Sequence, residues 1–100
     1  MNPTGIWDLS IATPIGKLEP VLELREEQGT VVGTASGTGE EIPLRELSFT
    51  GNRLTWRQSI SKPLRLNLFF DMTVDGDLMT GTSKAGRLPA STVTGRRRGA

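Results

Sequence analysis

Leu64-Arg65-Leu66-Asn67-Leu68-Phe69-Phe70-Asp71-Met72-Thr73-Val74 decides the fold. Its even positions are Leu, Leu, Leu, Phe, Met and Val, and its odd positions are polar except Phe69. A strand sends alternate side chains to opposite faces, so this pattern predicts one buried face and one wet face. Wound as a helix, the same apolar residues would scatter around the whole circumference. The alternation recurs at Leu18, Pro20, Leu22 and Leu24, with Glu19, Glu23 and Arg25 opposite. It recurs again at Trp7, Leu9 and Ile11, and at Leu54, Trp56, Gln58 and Ile60.

Turn chemistry separates these runs. Glu27-Gln28-Gly29, Ser36-Gly37-Thr38-Gly39, Thr50-Gly51-Asn52-Arg53 and Asp75-Gly76-Asp77 read as hairpin connections, because Gly, Asn and Asp tolerate positive φ. Thr13-Pro14-Ile15-Gly16 and Lys62-Pro63 read as loops or edges, since Pro cannot donate to a ladder. The prediction is eight strands, at 5–13, 18–27, 30–36, 41–50, 53–61, 64–75, 77–85 and 90–97. Residues 40–47 are the one helix-tolerant stretch, and Pro43 weakens that reading. There the apolar phase shifts from Ile42/Leu44 to Leu47/Phe49, which predicts a β-bulge near Arg45-Glu46.

The two halves resemble each other. Trp7-Asp8-Leu9-Ser10-Ile11-Ala12-Thr13-Pro14 and Trp56-Arg57-Gln58-Ser59-Ile60-Ser61-Lys62-Pro63 share W-x-x-S-I-x-x-P. The apolar set 18, 20, 22, 24 falls on 66, 68, 70, 72, and Val32-Gly33-Thr34 falls on Thr80-Gly81-Thr82. Phe49-Thr50-Gly51 falls on Val93-Thr94-Gly95. The expectation is a single domain over 1–100, with a repeat of about 5–51 and 53–99. Each half is a four-stranded meander with one oily face, which it cannot bury alone. Two halves together close an eight-stranded, antiparallel, up-and-down β-barrel and remove the exposed edges. Such a barrel is filled by side chains or holds one small ligand. The expected inward set is Trp7, Leu9, Ile11, Leu18, Pro20, Leu22, Leu24, Val31, Ala35, Leu44, Leu47, Phe49, Leu54, Trp56, Ile60, Leu64, Leu66, Leu68, Phe70, Met72, Met79 and Val93. The small residues Gly33, Ala35, Gly81 and Ser83 either let large neighbours fit or leave a pocket.

Composition excludes much. The chain has 100 residues and no Cys or His, so disulfides, imidazole bases, thiolate nucleophiles and the usual transition-metal sites are out. Twelve basic against 11 acidic residues give a net charge of +1, which argues against broad binding to nucleic acid or an anionic membrane. No apolar run approaches the ~20 residues of a membrane span. Met1-Asn2-Pro3-Thr4-Gly5 lacks the basic and apolar regions of a secretory signal. With zero Cys, the expected compartment is the cytoplasm.

Gly5-Ile6-Trp7 at the start of the first strand resembles the G-x-W of lipocalins and the wider calycin superfamily. In those barrels the Trp closes one end and an Arg from the last strand packs over it. The resemblance implies that role for Arg96 or Arg97, after Thr94-Gly95. The chain also resembles small bacterial proteins built on T-P-x-G and D-G-D-x-x-x-G-T, here Thr13–Gly16 and Asp75–Thr82.

Candidate sites are few. Trp7 and Trp56 are either barrel-core packing or stacking surfaces for a flat apolar ligand. Gln58 shares the face of Trp56, and an amide inside an apolar barrel needs a partner. The expected ligand-contacting set is Trp56, Gln58, Trp7, Leu66, Phe70, Met72 and Met79. No metal site and no cofactor are expected. Asp75-Gly76-Asp77 lacks the glutamate and spacing of a calcium loop. Gly33-x-Ala35-Ser36-Gly37-x-Gly39 has no following helix, so it is no phosphate cradle. Arg96-Arg97-Arg98 lacks interleaved aromatics and is not read as a nucleic-acid site.

The leading expectation is binding of a small, largely apolar molecule in the barrel interior. One alternative is a small cyclase or isomerase, since lipocalin-like barrels host such work; Glu46 is the one acid whose direction the pattern leaves open. The other is a structural module, a homodimer joined through the outward Phe69.

Overall fold

A computed structural model describes residues 2–13, 16–37, 39–60 and 65–99, with the side chain of Ile60 outside the description. Pro14, Ile15, Thr38, Lys62, Pro63 and Leu64 therefore lie outside it, and with them parts of three expected turns and one expected inward residue. The described elements are β1 (Gly5–Thr13), β2 (Gly16–Leu18), β3 (Val21–Glu27), β4 (Thr30–Gly37) and β5 (Glu40–Pro43). They continue as β6 (Arg45–Thr50), β7 (Arg53–Ile60), β8 (Leu66–Asp75), β9 (Leu78–Ala85) and β10 (Ser91–Arg97). All belong to one sheet of order β5-β4-β3-β1-β10-β9-β8-β7-β6, with β2 also on β1. Every pairing is antiparallel. The sheet curls into a nearly closed barrel, with β4 approaching β6 and β5 approaching β7 across the seam.

Ten strands replace the expected eight because two expected strands are interrupted. The first breaks at Glu19-Pro20. Pro20 has no N–H to give the ladder, but its carbonyl accepts from the Leu9 N–H at 3.0 Å. The register on β1 runs through the gap unchanged, from Ile11↔Leu18 to Asp8↔Val21. The second break is at Leu44. Residues 40–43 pair with β4, and 45–50 pair with β7. One covalent segment thus supplies both edges of the sheet. The register shifts between Arg45 and Ser48, and Glu46 has φ +50°. This is the bulge that the apolar phase change predicts.

Among the described residues, turns form at 28–29, 51–52 and 76–77, where the sequence places them. Gln28 and Gly29 both have positive φ, 53° and 79°, as a tight I′ hairpin between β3 and β4 requires.

The barrel is filled through its middle. Trp7, Trp56, Phe70, Leu22, Leu24, Leu54, Met72, Met79, Val74 and Val93 are all under 2% exposed. Leu18, Val31, Leu44, Leu47, Phe49 and Leu68 pack against them half-buried. Two glycines sit where strands coil tightly against each other. A Cβ on Gly33 would lie 2.5 Å from the Glu23 carbonyl oxygen, and one on Gly81 would run into the Asp71 carbonyl. These positions mark close backbone approach, not a pocket. Among the described residues, no helix is long and apolar enough to cross a membrane.

Candidate functional site

The two ends of the barrel differ. At the base, where β1 begins and β10 ends, Trp7 lies wholly buried and its Nε1–H donates to the Pro3 carbonyl at 2.9 Å. The Arg97 guanidinium covers the indole, 4.5 Å from the ring centroid. Arg97 also donates to the Thr4 carbonyl, to those of Asn2 and Gly76 at 3.1 Å each, and to Asp77 Oδ1 at 2.8 Å. Of the two candidate arginines, Arg97 is therefore the one over the indole; Arg96 is exposed. Alternation explains the choice, because Trp7 pairs directly with Arg97 while Arg96 faces outward with Asp8.

At the opposite end the interior opens. A cavity of about 100 Å³ is walled by Ile11, Leu18, Pro20, Ala35, Ile42 and Leu68. Glu19, Ser36, Gly37 and Glu40 complete the lining, and Gln58 supplies its buried amide. Ala35 leaves the room that a larger side chain on β4 would fill.

Gln58 is 6% exposed, and its Oε1 accepts from Trp56 Nε1–H at 2.9 Å. Trp56 is held by stacking on Phe70, with centroids 4.7 Å apart and planes 9° from parallel. No sealed side-chain nitrogen or oxygen among the described residues lacks a partner. Among the described residues no partner is seen for the Gln58 amide nitrogen, and Gln58 belongs to the lining, so its NH₂ faces the cup.

The expected ligand-contacting residues divide accordingly. Gln58 lines the cup. Trp7, Trp56, Phe70, Met72 and Met79 are packed into the barrel's middle or base, and Leu66 is half-buried on β8 away from the lining. Sequence reading had Ile11, Leu18, Pro20, Ala35 and Leu68 facing inward but gave them no ligand role. It missed Ser36, Gly37, Glu40 and Ile42, and it placed Glu19 on the outward face. The four missed residues all lie on the β4–β5 hairpin, between Ser36 and Ile42, which closes this side of the cup.

Glu46, Arg57, Arg53, Asp71, Arg98 and Asp8 lie on the outer wall, whereas Glu19 and Glu40 lie at the cup and Arg97 at the base. Glu46 is exposed and pairs with Arg57 Nε at 3.3 Å, so the bulge turns it away from the interior. Arg57 also lies 4.8 Å from the Phe69 ring centroid, covering the aromatic that breaks the wet face. Arg53 grips Asp71 with two hydrogen bonds, at 2.9 and 2.8 Å, and this holds the Asp71 carboxyl below its usual range. Arg98 does the same to Asp8. A shallow trough of Ser48, Thr50, Arg53, Thr55 and Phe69 crosses the outside of β6–β8.

No family model matches the chain, and no curated protein or solved structure matches it.

Proposed function

We propose that this protein is a calycin-like barrel that binds a small, largely apolar molecule at the end of the barrel opposite Trp7. The observation that carries the reading is the cup: apolar walls around one buried, oriented amide. The calycin likeness is supported by Arg97 stacked on the Trp of Gly5-Ile6-Trp7 and hydrogen-bonded to the N-terminal backbone. The two-fold repeat is supported by the matched close approaches at Gly33 and Gly81. It is also supported by the pairing pattern, in which β6 joins β7 as β10 joins β1.

A volume near 100 Å³ is smaller than the ~150 Å³ cavity that admits benzene. The occupant therefore inserts a group of about four or five carbons and leaves any remainder outside. At about 0.8 kcal/mol per buried CH₂, such a group gains roughly 4 kcal/mol before the cost of association. That gain sets a ceiling, so small probes should bind with Kd of about a millimolar or weaker. The cyclase or isomerase alternative would use a buried carboxylate, whereas the buried polar side chains among the described residues are Gln58 and Ser83, and the cup's own carboxylates are half-buried at Glu40 and exposed at Glu19.

The test is an amide and methyl NMR titration with cyclopentane, benzene and naphthalene. Saturable shifts should centre on Ile11, Ala35, Leu68 and the Gln58 side chain, and fall off for naphthalene. Ile42→Trp, which fills the cup from β5, should abolish them with under about 1 kcal/mol change in stability. Absence of saturable shifts in the wild-type protein would remove the proposal.

A further inference from the structure

We infer that the occupant leads with a neutral carbonyl, such as that of a ketone, ester or amide, which accepts a hydrogen bond from Gln58 inside the cup. The inference rests on the cup being a binding site and adds the chemistry of what enters it.

The argument starts at Trp56. An indole N–H can donate and cannot accept. Its bond to Gln58 therefore fixes which way the amide faces: the oxygen toward Trp56, the NH₂ away from it. Trp56 cannot swing aside, because it is wholly buried and stacked flat on Phe70. The amide is thus a fixed donor beside the apolar side chains of the cup, whose other polar side chains are Glu19, Ser36 and Glu40. An entering group without an acceptor would strip water from that NH₂ and leave it unpaired, at a cost. A hydroxyl would satisfy it but bring its own donor, which finds no side-chain acceptor on Ile11, Leu18, Ala35, Ile42 or Leu68 and is satisfied only where it reaches Glu19, Ser36 or Glu40 of the same lining. A carbonyl has an acceptor and no donor.

Charge selects further. Glu19 and Glu40, neither of them without a partner, belong to the lining, so an anionic head group meets like charge that is partly offset as it enters. Lys17 lies 3.3 Å from Glu19 and offsets part of this, so the discrimination is partial.

Cyclopentanone and methylenecyclopentane have nearly the same shape and differ in the acceptor. Their affinities are measured by NMR on the wild-type protein and on Trp56→Phe/Gln58→Met, which removes donor and acceptor together and keeps an aromatic ring against Phe70. The affinity ratio of ketone to alkene should be about tenfold higher in the wild type. In the wild type the Gln58 side-chain NH₂ signals should move downfield with the ketone and not with the alkene. That shift decides the matter if the double variant does not fold. Cyclopentanecarboxylate should bind more weakly than the ketone. If ketone and alkene bind with the same ratio in both proteins, or leave the Gln58 signals alike, the carbonyl is wrong and the cup stands. Tighter binding of the carboxylate overturns the neutral head group. If neither probe binds the wild type, the cup reading itself fails.

Discussion

Replacing Arg97 by Ala tests how the base of the barrel is sealed. The side chain is 20% exposed and bonds carbonyls from two stretches that are distant in sequence, Asn2–Thr4 and Gly76. It also bonds Asp77 and covers Trp7. A partly desolvated cation–π contact is worth about 1 kcal/mol. Hydrogen bonds from a charged donor are worth about 1.5–3 kcal/mol each when buried, but water can replace the outermost ones here. Discounting for that, the expected loss is about 3 kcal/mol, with part of it from the guanidinium stem that packs on Gly5. With a urea slope near 1.5 kcal/mol/M, the midpoint should fall by about 2 M. Tm should fall by at least about 12 °C. Urea unfolding is followed by Trp fluorescence, which reports on two indoles that are wholly buried in the native state. Arg97→Lys keeps the charge but not the fork and should lose roughly half as much. Arg96→Ala is the control and should stay within about 0.5 kcal/mol of wild type. Equal midpoints for Arg97→Ala and Arg96→Ala would show that the stacked guanidinium does not hold the base together.

Gly81→Ala drives a Cβ into the Asp71 carbonyl and should cost more than about 3 kcal/mol or prevent folding. Gly95→Ala meets movable atoms of Leu9 and Met79, at 2.6 and 2.7 Å, and should cost about 1–2 kcal/mol. Thermal melts of the two compare them, and a milder Gly81→Ala would contradict the close approach. Asp71 and Asp8 titrate below their usual range in the folded protein because arginines bond them. Their contribution is complete above the ordinary aspartate pKa and is lost as the pH falls through the lower folded value. With no histidine in the chain, the urea midpoint should be flat from about pH 7 to about pH 5 and fall below about pH 4. Asp71→Asn should remove part of that acid limb; a limb of unchanged depth would show that the pair contributes nothing measurable. Trp56→Phe keeps the ring stack but takes the donor from Gln58, for a loss of about 1–2 kcal/mol. Adding Gln58→Met should not deepen that loss, and a strictly additive double variant would count against a coupled pair.

Alternation alone identified the inward face of nearly every strand, because a half-buried sheet imposes a period of two on the side chains. It overran at Pro20 and Leu44. At Pro20 the alternation continues while a donor is missing from the ladder. Just after Leu44 its phase shifts, which marks the bulge at Glu46 but not the change of partner from β4 to β7. Neither event alters which residues are apolar, so neither shows in the pattern. The site was legible in one residue, Gln58, since a polar amide on an oily face demands a reason. Trp56, Phe70, Met72 and Met79 share that face, and periodicity gives no height along the barrel axis. Height decides whether an inward residue fills the middle or lines the open end. The volume left at that end depends on how the large side chains interlock, which Ala35 and Ile42 do not reveal one at a time.

Arg97 ties the first residues of the chain to the last strand at the floor, on the far side from Gln58. Whatever polypeptide is spliced on before Asn2 or after Arg98 consequently departs beneath the vessel. A fluorescent fusion, a surface anchor or a neighbouring module on either tail would leave diffusion into the cup unobstructed.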